Sequence, residues 1–217
     1  MVTNLSTTHS ILSEWMFQLR DTSIQEDRLR FRTNIKRIGF IAGYEISKRL
    51  PFRNTVAHTP LGDSRAMIPH TQPVIAGIMR AGLPLQDGLL EAFDQADCAF
   101  LGAYRKHSPD KSEFNILQQY VTSPDLTDRP LILADTMLAT GASIVTALDE
   151  LVADARPAQI HIVCVIACGE GIDKVHRHYP EAHIWAGAID DELTAKGYIV
   201  PGLGDAGDLC YGSKRQD

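Results

Sequence analysis

The sequence predicts an α/β fold built on a mostly parallel sheet that is flanked by helices. Five short apolar runs have the length of strands, at residues 74–79, 98–104, 131–134, 160–167 and 182–189. Unbroken apolar runs are typical of strands that are buried on both faces of a sheet. Helix-like segments follow most of these runs, and alternating strands and helices favour parallel strands joined by crossover helices.

The chain before the first of these runs predicts helices and then a strand pair. Residues 10–50 have a helical pattern, with apolar side chains at helical spacing over residues 35–46, and Pro51 ends it. Residues 53–68 alternate polar and apolar types around Gly62 and Asp63, which predicts two strands joined by a turn.

Within the α/β region we expect helices over residues 85–93 and 144–152, and a short one that runs through His176. Residues 106–128 are polar and contain Pro109 and Pro124. A stretch of that length in a compact domain predicts a hairpin or a mobile functional loop.

Length and composition predict one domain without a nucleic-acid partner or a membrane span. The chain has 217 residues, and 27 acidic against 21 basic residues give a formal net charge of −6. A nucleic-acid surface would need basic runs, and a span would need about 20 apolar residues in a row. The four cysteines form no CxxC pair, and the first ten residues lack an apolar signal core. These features predict reduced thiols and a soluble, cytoplasmic protein.

One histidine cluster is a candidate metal site that we set aside. His176, His178 and His183 lie close to Glu181 in the sequence, but Pro180 interrupts the group. We interpret the cluster as the solvated end of a helix, since no regular spacing of metal ligands is present.

Ligands of open α/β sheets bind at the carboxyl ends of the strands, and the strongest candidate site follows the third apolar run. There Asp135 is followed by a turn of small residues and then by the helix over 144–152. Helix N-termini offer unpaired N–H groups that favour phosphate, and Thr140 and Ser143 add hydroxyl donors. The pattern also fits an ordinary turn with a helix capped by Thr140 or Ser143.

A second candidate is the glycine-rich segment YIVPGLGDAGD at residues 198–208. Its glycines allow the main chain to approach a planar ligand, and main-chain N–H and C=O groups could pair with the edge of a base. An ordinary surface turn has the same composition. Two arginines, Arg80 and Arg105, follow the first two apolar runs, where each could bind phosphate in a bidentate manner or pair with an acidic side chain.

Four motifs together resemble the uracil phosphoribosyltransferase family of the type I phosphoribosyltransferases. DTMLATGAS at 135–143 resembles the family's DPMLATGGS, and YIVPGLGDAGD resembles its uracil-recognition signature. IMRAGL at 78–83 and the Tyr104-Arg105 pair also match, in the family's order. Three residues differ from the family: Thr136 replaces a proline, Ala142 usually a glycine, and Pro84 a glycine. We expect Ala142 to resist a positive φ if the loop requires one.

The resemblance implies a type I fold as a single domain over residues 1–217. It would comprise N-terminal helices at about 10–50, a β-arm at about 53–70, a core at about 73–190 and a small uracil-binding hood at about 190–217. Lys106 to Glu113 would form a mobile hairpin loop. The implied partners are uracil and phosphoribosyl diphosphate (PRPP), with Mg²⁺ held through PRPP rather than by protein side chains. Family members form homo-oligomers, and some respond to GTP.

The resemblance also implies the role of each site residue. Arg80 and Arg105 would bind the pyrophosphate of PRPP, Asp135 its ribose hydroxyls, and Asp205 PRPP either directly or through the metal. The catalytic residues would be Arg105, Asp135 and Asp205. Main-chain atoms of Ile199, Gly204 and Ala206, together with Asp205, would bind uracil. The 5′-phosphate loop would consist of Thr136, Met137, Leu138, Ala139, Thr140, Gly141, Ala142 and Ser143.

Two alternatives stay open from the sequence. One is a transferase for another base on the same fold. The other is a regulator without catalytic activity that senses PRPP or a nucleotide and binds RNA, although the acidic balance of the chain speaks against it.

Overall fold

The computed structural model describes residues 1–106 and 116–213, and for residues 103–106 and 116–119 it describes the backbone. The strands are β1 (Val2–Asn4), β2 (Phe52–Thr59), β3 (Gly62–Pro69), β4 (Val74–Ile78), β5 (Asp97–Lys106), β6 (Ile116–Thr122), β7 (Pro130–Ala134), β8 (Met137–Leu138), β9 (Gln159–Cys168), β10 (His183–Asp190), β11 (Glu192–Leu193) and β12 (Ile199–Val200). The α-helices are α1 (Ile11–Arg20), α2 (Arg28–Ser47), α3 (Gly82–Ala92), α4 (Ala142–Leu151), α5 (Gly169–His178) and α6 (Ala206–Tyr211).

The central sheet is mostly parallel, as the sequence predicts. Its strand order is β1-β10-β9-β7-β4-β5-β6, and β8 pairs with β9 beside this path. Every neighbouring pair is parallel except β5 and β6, which are antiparallel. The five predicted strands form the centre as β4, β5, β7, β9 and β10, and the edge strand β1 was not predicted.

The sheet has a hydrophobic cluster on each face, and alternate residues of β9 point to opposite clusters. Val163 and Val165 pack with α1, α2 and α3, whereas Ile162 and Cys164 pack with α4 and α5. This two-sided burial explains why the sheet strands have unbroken apolar sequences. Cys164, Cys168 and Cys210 are buried free thiols, and Cys98 is a partly buried one.

The helical region before Pro51 consists of two helices, α1 and α2. Ser10 caps α1 through a capping box with Ser13. The Asp27 carboxylate caps α2 by accepting the Arg30 N–H at 3.0 Å. The connector between Arg20 and Arg28 turns the chain back, which the apolar spacing alone does not reveal.

The predicted strand pair is present. β2 and β3 form a separate antiparallel hairpin in which Thr59 pairs with Gly62, and most of its side chains are exposed. The stretch at 106–128, predicted as a hairpin or a loop, contains β6, which pairs antiparallel with β5; the first strand of this hairpin therefore lies before the predicted stretch. The loop predicted at Lys106 to Glu113 lies outside the described residues beyond Lys106.

The interpretation of the histidine cluster is wrong for one member. His183 lies in β10, is 8% exposed, and stacks on Trp185 with ring centroids 4.1 Å apart. Its Nε2 lies 2.8 Å from Thr3 Oγ1, a contact made possible by the unpredicted strand β1. Within residues 1–106 and 116–213, no helix combines the length and apolar composition that a membrane crossing requires.

Candidate active site

The carboxyl ends of β4 and β7 bring two predicted segments together. These strands are neighbours, with Gly77 opposite Ala134. Gly82, at the start of α3, packs so closely that a Cβ there would lie 2.7 Å from the Ala134 carbonyl oxygen and 3.7 Å from Asp135 Cα. The Arg80 turn and the phosphate loop therefore share one edge of the sheet, as expected for parallel strands.

The predicted phosphate loop runs from the end of β7 to the start of α4. Gly141 has φ 77°, in the left-handed region, and forms the N-cap of α4 without a side-chain cap bond. The loop therefore reverses at Gly141, and Ala142 begins the helix with ordinary geometry, so alanine is accommodated where the family usually has glycine. A cavity of about 50 Å³ is lined by Asp135 and residues 137–144.

The interior side of this loop is fixed by β9. The Thr136 carbonyl oxygen accepts the Val165 and Ile166 N–H groups at 3.0 and 3.1 Å. The Thr136 side chain is buried, and its hydroxyl has no hydrogen-bond partner among the described residues. A proline in this place would bury only apolar atoms, so threonine adds an unsatisfied polar group to the loop.

Asp135 is a partly buried carboxyl whose acidity is weakened. Burial raises its pKa to about 6, against hydrogen bonds from the Met137 and Thr136 main-chain N–H groups that favour ionisation. The described bond from Met137 is long, at 3.4 Å. A pKa in this range means that the charge of Asp135 changes near neutral pH.

The glycine-rich tail is held by a buried ion pair that the sequence analysis missed. Asp190, the last residue of β10, accepts two bonds of 2.7 Å from the Arg20 guanidinium and one of 2.9 Å from the Gly202 N–H. Arg20 also donates to the Gly202 carbonyl oxygen at 3.1 Å. Burial opposes ionisation of Asp190, but these bonds outweigh it and lower its pKa.

The second half of the tail is attached to Arg80. The Asp205 carboxylate caps α6 by accepting the Asp208 N–H at 3.0 Å. Asp208 in turn pairs with Arg80 Nη2 at 2.7 Å, and Arg80 Nη1 donates to the Gly212 carbonyl oxygen at 3.1 Å. The arginine predicted to bind pyrophosphate thus also joins the end of β4 to α6.

The phosphate loop and the tail lie against each other. A Cβ on Gly197, in the turn between β11 and β12, would lie 3.6 Å from Thr140 Cγ2. Ile199 and Ala206 belong to the same hydrophobic cluster against which Met137 and Ala139 pack. Gly204 has φ 88°, so it adopts a conformation that other residues rarely take.

A larger cavity of about 730 Å³ adjoins the tail on the side of the α1–α2 connector. Its lining includes Gln25 and Glu26 from the connector and Gly204, Asp205 and Asp208 from the tail. This cavity and the one at the phosphate loop share no lining residue. The two segments thus meet through packing contacts, with a separate opening beside each.

The remaining predicted residue is Arg105. Its backbone lies in β5 opposite Leu117, and its side chain lies outside the described residues. Three other residues that organise the site were missed: Arg20, Asp190 and Asp208. Asp190 repeats the pattern that identified Asp135, an acid directly after a buried apolar run, and this signal could have found it.

The residues of the site suit a magnesium ion that is held mainly by substrate oxygens. In the described part of the chain, no three His, Cys, Asp or Glu side chains are grouped to hold a metal. Asp135 and the tail carboxylates Asp205 and Asp208 supply the oxygen donors that Mg²⁺ prefers, and Mg²⁺ commonly takes one or two carboxylates together with phosphate oxygens and water.

Comparison with known proteins gives a consistent result over the whole chain. A family model described as uracil phosphoribosyltransferase matches residues 6–213. A uracil phosphoribosyltransferase of Porphyromonas gingivalis is 44% identical over 98% of this chain and 99% of its own length. One from Methanococcus maripaludis is 37% identical over 93% of this chain and 86% of its own length.

Solved structures agree on the architecture. The AQ2163 protein from Aquifex aeolicus aligns with a TM-score of 0.84 at 29% identity, over 98% of both chains. An adenine phosphoribosyl transferase from Trypanosoma brucei aligns with a TM-score of 0.55 at 10% identity, over 90% of this chain and 87% of its own. Because the identity to the Trypanosoma brucei enzyme is only 10%, this similarity shows a shared fold and nothing about function.

Proposed function

Because the chain belongs to the uracil phosphoribosyltransferase family, we infer that it joins uracil to the ribose of PRPP and releases pyrophosphate. The protein is then a pentosyltransferase of pyrimidine salvage. One observation carries this inference beyond the family match: the phosphate loop and the glycine-rich tail lie side by side, with Gly197, the residue before the tail, against Thr140. An enzyme that joins a base to a sugar phosphate requires this proximity.

The loop over residues 136–143 would hold the 5′-phosphate of PRPP. The first turn of α4 supplies main-chain N–H groups and the positive end of the helix dipole, and Thr140 and Ser143 supply hydroxyls. Gly141 supports this role because its left-handed conformation lets the chain turn tightly into the helix. Asp135, in its ionised form, would accept hydrogen bonds from the ribose hydroxyls.

The tail would recognise uracil through its main chain. Uracil presents N–H donors and carbonyl acceptors on one edge, and a main chain held in one conformation can complement them. Arg20 and Asp190 hold both polar groups of Gly202. This anchoring supports a binding role for the following turn, in which Gly204, Asp205 and Ala206 lie, and for Ile199 beside it.

The reaction separates charge, and the site residues would stabilise both charges. N1 of uracil bonds to C1 of the ribose as the bond from C1 to the pyrophosphate oxygen breaks, and the N1 proton is lost. Arg80 and Arg105 would bind the departing pyrophosphate, while the Asp135 carboxylate would lie near the cationic ribose. Mg²⁺, when bound with PRPP, would neutralise part of the negative charge on the leaving group.

A direct assay tests the function. The protein is mixed with PRPP, Mg²⁺ and uracil, and UMP and pyrophosphate are quantified, with cytosine, adenine, guanine and hypoxanthine in parallel. We expect UMP from uracil and no product from the other bases. Release of pyrophosphate with another base in preference to uracil would contradict the inferred specificity. RNA binding in a filter assay without turnover would support a regulator instead.

Assembly and effectors are proposals that rest on the family alone. A homo-oligomer would be detected by sedimentation equilibrium. Activation by GTP would be measured as a change in kcat or in the KM for PRPP when GTP is added to the same assay.

A further inference from the structure

The phosphate loop rests on the beginning of α5, a segment to which the sequence analysis assigns no role. The loop carbonyl groups of Leu138 and Ala139 face Gly171 in the first turn of this helix. A Cβ on Gly171 would lie 2.3 Å from the Ala139 carbonyl oxygen and 3.0 Å from that of Leu138. Ordinary contact begins at 3.4 Å, so only glycine allows the helix and the loop to approach this closely.

The contact is reciprocal. A Cβ on Gly141 would lie 2.8 Å from the Gly171 carbonyl oxygen. Two glycines on separate elements therefore face each other, one at the turn of the phosphate loop and one in the helix beneath it. A side chain at either position would push the main chains of the two segments apart.

The same stretch of chain holds the loop from both directions. β9 pairs with Met137 and Leu138 of β8 and donates two hydrogen bonds to Thr136. β9 then leads directly into α5 at Gly169. Residues 165–171 thus support the loop from Thr136 to Gly141, and Leu138 is fixed between them with 1% of its surface exposed.

We propose that Gly171 is a positioning residue for the phosphate loop, which sets the main chain of the loop at the place where the 5′-phosphate binds. Gly171 does not touch the substrate itself. Phosphate binding by main-chain N–H groups depends on their direction, and a displacement of about 1 Å can cost on the order of 100-fold in rate. The proposal rests on the inferred PRPP-binding role of this loop.

The chain contains a matched control two residues away. A Cβ on Gly169, at the start of the same helix, would meet no atom within 4 Å. Gly169→Ala and Gly171→Ala therefore add the same methyl group to the same turn of α5, and they differ only in whether that group meets the loop.

The test compares the two variants in steady-state kinetics and in equilibrium binding of UMP, which carries the 5′-phosphate. For Gly171→Ala we expect the KM for PRPP and the Kd for UMP to rise at least about tenfold, with the KM for uracil within about twofold. Gly169→Ala should match wild type in all three. Circular dichroism and Tm establish that each variant is folded.

Either of two results would overturn the proposal: an unchanged KM for PRPP in folded Gly171→Ala, or equal losses for PRPP and uracil. If Gly171→Ala does not fold, Leu138→Val shortens the buried side chain that lies between the loop and Gly171 and should raise the KM for PRPP selectively; an unchanged KM for PRPP in that variant would overturn the proposal. Absence of UMP synthesis in wild type would contradict the proposed function instead, so the two failures are distinguishable.

Discussion

Arg80 Nη2 lies 2.7 Å from the Asp208 carboxylate, so the turn that follows β4 is bonded to the first turn of α6. Arg80 also donates to Gly212 at the end of that helix. Both partners of the ion pair are about one third exposed, and such pairs contribute on the order of 1 kcal/mol or less to stability. Their effect on function is therefore separable from their effect on folding.

Replacing Arg80 should affect both substrates. In Arg80→Gln we expect the KM to rise at least about tenfold for PRPP, through loss of a bidentate phosphate contact, and several-fold for uracil because α6 is released. Initial rates at varied concentrations of each substrate measure this. Glu91→Gln, which removes the exposed Lys36–Glu91 pair, is the control. An effect confined to PRPP would show that Arg80 does not hold the tail.

Asp205 caps α6, and we propose that it also contacts PRPP; two substitutions can separate these roles. Its carboxylate caps α6, and asparagine caps helices about as well as aspartate, whereas alanine costs roughly 1 kcal/mol. We expect Asp205→Asn to keep the wild-type Tm, Asp205→Ala to lower it, and both to lose UMP synthesis because the negative charge is missing. If Asp205→Asn synthesised UMP at the wild-type rate, the only role of Asp205 would be to cap α6.

The raised pKa of Asp135 predicts pH dependence of PRPP binding. With a pKa of about 6, the carboxylate proposed to accept hydrogen bonds from the ribose hydroxyls is lost as the pH falls below that value. The KM for PRPP should therefore rise between pH 7 and pH 5, and this rise should be absent from Asp135→Asn. A flat profile in wild type would argue against Asp135 as the ribose ligand.

The same shift makes Asp135 costly for stability at neutral pH. The folded pKa lies above the ordinary value of 3.8, so the folded state binds more protons, and stability falls as the pH rises from about 4 to 6. Above pH 6 Asp135 is ionised in the folded state, and the loss of stability reaches its full value. Asp135→Asn should thus be more stable than wild type at pH 7.5, by on the order of 1–3 kcal/mol in urea unfolding. Equal stabilities would mean that burial does not perturb this carboxyl.

Thr136 offers a stabilising substitution. Its buried hydroxyl lacks a partner among the described residues, and valine has nearly the same shape without the polar atom. Removing the unsatisfied group should add about 1 kcal/mol, equivalent to roughly 2–4 °C in Tm for a chain of this size. Calorimetry of Thr136→Val measures it, and a lower Tm would indicate that the hydroxyl is satisfied in solution.

Two buried histidines, His161 and His183, should make the folded state less stable in acid. Trp185 Nε1 donates to His161 Nδ1 at 3.2 Å, and His183 stacks on Trp185. Burial lowers the pKa of both histidines to about 4. The nearby His183 adds to the effect on His161, and the N-terminal amine, Arg49 and His176 add to that on His183. The stability that depends on the neutral rings is complete above about pH 6.5 and is lost as the pH falls toward 4.

This loss is measurable by urea unfolding followed through tryptophan fluorescence at pH 7.5 and pH 5. Each histidine should contribute up to about 1.4 kcal/mol per pH unit in the interval from 6.5 to 4. His161→Gln should reduce the slope. An equal slope in wild type and variant would exclude His161 as a source of the acid sensitivity.

The central strands and the phosphate loop were predictable because their signals are local. An unbroken apolar strand followed by Asp135 and small residues is recognisable without knowledge of its neighbours. The contacts of Arg20 with Gly202 and of Gly171 with Ala139 join residues far apart in the chain, and no local pattern marks them. β1 is three residues long, and its pairing depends on β10 being present.

The prediction that His183 is solvent-exposed was wrong for a related reason. The residues that precede His183 are mostly charged and polar, as on a solvated surface. The pairing of β1 with β10, which the sequence does not reveal, is what buries its side chain. At Ala142 the sequence suggested a difficulty that the structure does not have. The residue with a left-handed conformation is Gly141, one position before Ala142.

The tail is continuous with the core, and this limits how base preference can be engineered. Ile199, Leu203, Ala206 and Cys210 share a hydrophobic cluster with side chains from α2, α3 and β7. A segment transplanted from an enzyme for a different base would carry apolar groups shaped for another interior. Exchanging the tail residues alone would change base selectivity but disturb the packing of the core. A chimera that folds would therefore have to include the facing helices α2 and α3 as well.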